Sequence, residues 1–244
     1  MPSEPSASSQ NADLAAQILH NVRASIPLAI EQLDVMLQLL SAARPDGVGN
    51  FLDLGCGDGV LAATILNEHP HARGTLVELA ESQLAGARRR LHASSGRAEF
   101  LVANYREPAW VRALQRAAPF DAVVFGFAAQ HLPTPRKRQL FGEIFHLLKP
   151  EGLFLHIEHV ASPTRWTESV WDDHTIDAIF GQQLKASPGK SRAEIARDYY
   201  AQAAMTLAPL EVQCDWLREH GFENVDCYLK VQELAVFGGQ KPAA

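Results

Sequence analysis

Apolar residues recur along this chain with two different periods. Leu14, Ile18 and Val22, then Leu33, Met36, Leu37 and Leu40, fall mostly three or four residues apart, the spacing of helices buried along one stripe. Pro27 suits the first turn of the second helix, where its missing N–H breaks no bond. From Asn50 the pattern changes to short apolar runs alternating with helical stretches. Strands are predicted near 50–54, 74–79, 98–103, 121–126 and 153–159, with helices between them. Right-handed helical crossovers then make the sheet parallel and cover both of its faces. The end departs from this rule. Pro209 opens a helix carrying Val212, Trp216 and Leu217 that stops at Gly221. Strands over 222–229 and 233–237 follow, joined too tightly for a helix, so they pair antiparallel. The predicted class is α/β: a seven-stranded sheet, mostly parallel, closed by a C-terminal antiparallel hairpin.

Between the fifth strand and the Pro209 helix, residues 160–207 exceed a simple connection. They hold helical stretches over 170–184 and 193–204, split by Ser187-Pro188-Gly189-Lys190. An insertion there sits above the carboxyl ends of the strands, where open α/β sheets bind ligands. With the helices of 11–45 it is expected to form a lid. Residues 11–244 then make one domain, behind a tail over 1–10 whose Pro2-Ser3-Glu4-Pro5-Ser6 composition predicts disorder.

The chemistry begins at Phe51-Leu52-Asp53-Leu54-Gly55-Cys56-Gly57-Asp58-Gly59. Here a strand runs into a glycine bend that can turn sharply and lie flat against a ligand. Nineteen residues past Gly59, the apolar run Gly74-Thr75-Leu76-Val77 ends in Glu78, an acid suited to a ribose diol. The dinucleotide fingerprint G-x-G-x-x-G would need glycine where Val60 stands. Asp53 and Asp58 repel a phosphate but suit an amino group or a sulfonium. That polarity favours S-adenosylmethionine over NAD. Phosphate-loop nucleoside triphosphatases are excluded because no G-K-[ST] completes the glycine bend.

With these residues the chain resembles the class I S-adenosylmethionine-dependent methyltransferases, over roughly residues 20 to 240. Leu52 to Gly59 matches that family's first motif, and Glu78, Asn104-Tyr105, Phe120 to Phe125 with Gln130-His131-Leu132, and Leu148 to Leu153 follow in the family's order. The resemblance implies a Rossmann-like fold and S-adenosyl-L-methionine as cofactor. It implies that Asp53 orients the methionine amino group and that Gly55, Cys56 and Gly57 pass close to the methionine. Glu78 takes the ribose, Leu79 lies beside the adenine, and Tyr105 adjoins them. Asn104 stands where the family usually has Asp, and its amide oxygen can still accept from the adenine amino group. Gly126 offers backbone near the sulfonium.

The acceptor side is defined by fewer features. His131 follows the fourth strand and His159 ends the fifth, so both are candidates for a general base near neutral pH. His156 and Glu158 alternate with His159, so only one face of that strand enters the site. Trp166, Trp171, Tyr199 and Tyr200 are candidates for an aromatic wall in the insertion or for its core. Asp172-Asp173-His174 invites a metal, but consecutive helical residues diverge and cannot chelate one ion, so no metal is assigned.

Composition narrows the partner. A net charge of −6 over 244 residues argues against non-specific nucleic-acid binding, and Arg88-Arg89-Arg90 is expected to be a solvated helix face. Three unpatterned cysteines fit a reducing cytoplasm. No apolar run reaches the ~18 residues that span a bilayer, and the start lacks signal-peptide features. Pro-Cys, Thr-Cys and the Pro-Pro-Tyr motif of amino-group methylation on adenine or glutamine are absent. The expected reaction is methylation of oxygen or nitrogen on a small-molecule acceptor, with a homodimer as a candidate assembly. The nearest sub-resemblance is to carboxy-S-adenosylmethionine synthase, a tRNA-modification enzyme. Arg23-Ala24-Ser25-Ile26-Pro27 and Phe127 to Leu132 are similar to its segments, and Arg197 falls near its carboxylate-reading arginine. Leu28-Ala29 replace its tyrosine, however, and Gly126 replaces its asparagine. Two classes outside methyl transfer compete with these: a non-catalytic cofactor-binding module and a nicotinamide oxidoreductase.

Overall fold

The computed structural model describes residues 28–186, 189–201 and 206–243. Its strands are β1 (Asn50–Leu54), β2 (Arg73–Glu78), β3 (Ala98–Val102), β4 (Phe120–Gly126), β5 (Leu148–His159), β6 (Glu223–Val231) and β7 (Leu234–Gln240). They form one sheet in the order β3-β2-β1-β4-β5-β7-β6. The first five are parallel, and β7 runs antiparallel to both β5 and β6. The predicted architecture is the observed one.

Burial explains which strands are central. Every residue of β4 is buried, as expected of a parallel strand covered on both faces. The edge strand β3 is only partly covered. Alternation divides the core in two. Leu52 and Leu54 join Val123, Phe125, Phe154 and Phe237 on one face, while Phe51 joins Leu76, Val124, Leu155 and Val236 on the other.

Helices α1 (Ala29–Ala43), α2 (Val60–Glu68) and α3 (Glu81–Arg90) close the second face, through Met36, Leu40, Ile65 and Leu84. Helices α4 (Thr134–Leu147) and α7 (Leu210–Glu219) close the first, through Leu140, Phe141 and Leu217. The earlier N-terminal helix, Pro27 and the tail predicted from the sequence lie outside the described residues.

The insertion forms α5 (Arg165–Ala186) and α6 (Arg192–Ala201). The former starts five residues earlier than predicted; the Ser187-Pro188 break and residues 202–204 lie outside the described residues. Ile176 of α5 and Ile195 of α6 are buried. Arg192 reaches Asp173 and Asp177 at 2.8 and 2.6 Å, and Tyr199 donates to Asp172 at 2.8 Å. These acids therefore join two helices. The insertion is rooted where β5 ends: Ala161 bridges to Pro209, and the Thr206 N–H donates to the Gln130 carbonyl at 2.8 Å. No described helix is long and apolar enough to cross a membrane.

Candidate functional site

The glycine bend joins β1 to α2 at the carboxyl edge of the sheet. Gly55 has φ +63°, and a Cβ there would meet the Cβ of Ala128 at 2.6 Å and the Tyr105 hydroxyl at 3.2 Å. Gly57 has φ +53°, and a Cβ on it would find no atom within 4 Å. The first glycine permits contact with the segment after β4. The second leaves an open cradle.

Three acids surround this bend, with different tasks. Glu78, buried at the end of β2, accepts the Gly57 N–H at 3.0 Å through Oε2 and the Leu79 N–H at 2.7 Å through Oε1. Each oxygen keeps a second acceptor site. Asp53 is also buried, and its Oδ2 accepts the Ala62 N–H at 3.0 Å in the first turn of α2, where an N–H lacks a helical partner and the dipole favours negative charge. Asp58 differs from the expectation. Arg90 donates to its carboxylate at 2.9 Å and to its carbonyl at 3.0 Å. Its charge is thus compensated from α3, and Arg90 is a clasp on the bend and not part of a solvated face. Burial and the carboxylates of Asp53 and Glu78 push the Cys56 thiol up, so it stays protonated and packs.

At the end of β3, the Ala103 N–H donates to the Glu78 carbonyl. Asn104 is exposed; its Oδ1 accepts the Arg106 N–H at 3.2 Å. Tyr105 is buried edge-on against Phe125 at 5.9 Å, and burial beside Glu78 raises its phenol. Leu79 is half-buried against the core. A Cβ on Gly126 would lie 2.9 Å from Leu61, so this glycine also admits a core side chain.

The chain leaves β4 through Phe127, whose φ of +52° is uncommon for a residue with a Cβ. Ala129–His131 then form a short 3-10 turn. His131 is exposed on it, with Nε2 at 3.5 Å from the Gln130 amide nitrogen. His159, half-buried at the end of β5, faces Glu233 of the β6–β7 turn at 3.2 Å. His156 lies in the core. It stacks on Phe125 at 4.9 Å, donates from Nδ1 to the Phe125 carbonyl at 2.8 Å, and is pushed down to about 3 by burial.

Spacing along the chain does not single out Glu158, yet the fold gives it a central place. It is buried at the end of β5 and accepts the Ala129 and Gln130 N–H groups at 2.8 and 3.1 Å. Burial lifts it to about 7, against the pull of the amides and Lys137. Lys137 is buried too and donates to the Thr206 carbonyl. An acid near the end of a largely apolar strand is the signal the sequence offers for Glu158; Lys137, set between Arg136 and Arg138, carries none.

The insertion sets Tyr199 edge-on to Tyr200 at 5.4 Å but leaves most of its predicted aromatic wall uncovered. Trp166 is 73% exposed and Tyr200 54%, Trp171 is half-buried, and Arg197 is exposed. Trp166 and Tyr200 therefore pack in no core.

Residues 51–152 match a family model described as a methyltransferase domain. The chain is 30% identical over 178 residues to demethylmenaquinone methyltransferase of Leptospira interrogans, covering 71% of this chain and 67% of that protein. It is 21% identical over 228 residues to carboxy-S-adenosyl-L-methionine synthase of Campylobacter lari, covering 93% and 92%. Other relatives are longer: the match spans 42% of a Streptomyces rimosus N,N-dimethyltransferase, at 29% identity over 61% of this chain. An O-methyltransferase family protein from Burkholderia thailandensis shares the fold, with a TM-score of 0.59 and 17% identity over 97% of this chain and 69% of that one. Sequence relationship and strand order agree, and the chain belongs to the class I methyltransferases, with S-adenosyl-L-methionine as cofactor.

Proposed function

We propose that this protein transfers a methyl group from S-adenosyl-L-methionine to an oxygen or nitrogen atom of a small-molecule acceptor. The observation that carries the reading is the open cradle at Gly57, held by Glu78. Bound there, the cofactor supplies a methyl group activated by its sulfonium. Glu78 takes the ribose hydroxyls with its remaining acceptor sites, and Leu79 flanks the adenine. Asn104 accepts the adenine amino group. Asp53 supplies negative charge beneath the methionine end, where Asp58 is already matched by Arg90. Cys56, Tyr105 and the Gly126 backbone complete the wall.

Methyl transfer is an in-line displacement, so orientation and exclusion of water supply much of the rate. An acceptor hydroxyl or ammonium group must also lose a proton. In this reading His131 takes it, an assignment supported by its exposure on the turn that adjoins Gly55 through Ala128. His159, already engaged by Glu233, is the second candidate. Trp166, Trp171, Arg197 and Tyr200 of the insertion border the acceptor in this reading. The names of the relatives support a small molecule: one acts on demethylmenaquinone.

Calorimetry with S-adenosylmethionine and NAD tests the cofactor half, and NAD bound in preference would sink the reading. Incubation with methyl-labelled cofactor and a panel of phenols and amines tests the other half. Label in an acceptor supports it. Carboxylated cofactor, formed when a carboxyl donor is added to the incubation, would instead favour synthase-like chemistry, to which the long Campylobacter match lends support.

A further inference from the structure

One buried carboxylate joins three segments on the acceptor side. Glu158 Oε2 accepts the N–H groups of Ala129 and Gln130, and Oε1 accepts the His159 N–H at 2.8 Å. Ala129 and Gln130 belong to the turn that carries His131. The Gln130 carbonyl in turn accepts the Thr206 N–H, and the Thr206 carbonyl accepts the Lys137 ammonium. Thr206 stands where the insertion returns toward Pro209. A single 3-10 turn makes few hydrogen bonds of its own, so its placement relies on these external acceptors.

We propose that Glu158 is a positioning residue for the acceptor side of the site, fixing the His131 turn and the root of the helical insertion to β5 through the backbone amides it accepts. The proposal rests on the methyl-transfer reading. It adds that the grip follows the charge of Glu158. An ionised carboxylate makes charge-assisted bonds to the amides, and a neutral carboxyl makes weaker ones.

The groups facing Glu158 can be named element by element. From β5 itself, His156 Nε2 stands 3.9 Å from Oε2 and is neutral, and His159 points to the opposite face. From α4 comes the Lys137 ammonium, and from the loop after β3 the Tyr105 phenol, which feels the Glu158 charge. Glu233 of the β6–β7 turn is engaged by His159 at 3.2 Å. The turn after β4 contributes backbone amides, which favour the ionised form, while burial opposes it. Charge therefore changes near neutral pH.

The test is an NMR titration of nitrogen-labelled protein, wild type and Glu158→Gln, with S-adenosylhomocysteine affinity measured in parallel. In the wild type, the Ala129 and Gln130 amide protons should shift with a common midpoint at about pH 7. In the variant that step should vanish, and exchange at both amides should become at least about tenfold faster while Val123 and Leu155 stay protected. Affinity for S-adenosylhomocysteine should change less than about twofold. Glu158→Asp, which keeps the charge on a shorter arm, should retain a titrating step with smaller amplitude. Amides that do not titrate in the wild type overturn the proposal without any variant. Equal titration in Glu158→Gln also overturns it, and so does faster exchange spread through the core, which would mean fold support only. Failure of wild-type protein to bind S-adenosylhomocysteine would instead remove the methyl-transfer reading and leave the amide result standing.

Discussion

Glu78 Oε2 lies 3.0 Å from the Gly57 nitrogen, so the acid at the end of β2 holds the bend that opens beside it. Binding and local structure are coupled at this contact. Glu78→Ala removes an acceptor for two backbone amides and for the ribose together. S-adenosylhomocysteine affinity should fall at least about tenfold, or about 1.4 kcal/mol by calorimetry. Unchanged titrations would count heavily against the site.

Asp53 separates the two effects more cleanly. Asp53→Ala leaves the Ala62 N–H buried without that acceptor, a loss of about 1–3 kcal/mol in urea unfolding. Asp53→Asn keeps an acceptor oxygen and removes only the charge. It should weaken cofactor binding about tenfold while unfolding at nearly the wild-type urea concentration.

The glycines of the bend should differ in kind. Gly55→Ala drives a methyl into Ala128 at 2.6 Å on top of its left-handed backbone, and should lose more than about 2 kcal/mol of stability. Gly57→Ala meets no neighbour, so only the backbone term of about 1 kcal/mol applies. Its methyl instead occupies the cradle, and the larger loss should appear in cofactor affinity. Equal effects on stability would show that the two positions are not distinguished in this way.

The buried pair on β5 sets opposite pH slopes. His156 is depressed from 6.5 to about 3, so its stabilisation is present above pH 6.5 and is lost as pH falls. Glu158 is raised from 4.5 to about 7, so its contribution is complete below pH 4.5 and is lost as pH rises through about 7. The two slopes oppose each other between these limits. Glu158→Gln removes one of them. Wild-type stability relative to this variant should drop by on the order of 2 kcal/mol from about pH 5 to about pH 8. A difference independent of pH would place the Glu158 carboxyl back in the ordinary range.

His131 is exposed. His131→Ala should leave the unfolding midpoint and the S-adenosylhomocysteine affinity unchanged. With an acceptor found in the panel, kcat should fall about 10²-fold, the usual scale for losing a general base. A drop in His159→Ala alone would transfer that role to β5.

The alternation of strands and helices, the glycine bend and the closing hairpin are all legible in the chain, because each is written in neighbouring residues. Periods of two and 3.6 mark buried faces, and tight spacing between two apolar runs leaves only antiparallel pairing. Which distant groups meet is not written that way. Arg90 finds Asp58 32 residues away, and Glu158 finds Ala129 29 residues away. The first follows from β2 lying beside β1, which carries α3 back over the bend, and the second from β5 lying beside β4. Trp166 and Tyr200 show the same limit, since their aromatic character suggests burial while the helix face decides exposure. Local spacing determines which side of an element is apolar; only packing in three dimensions decides what each polar group on it touches, and therefore its charge.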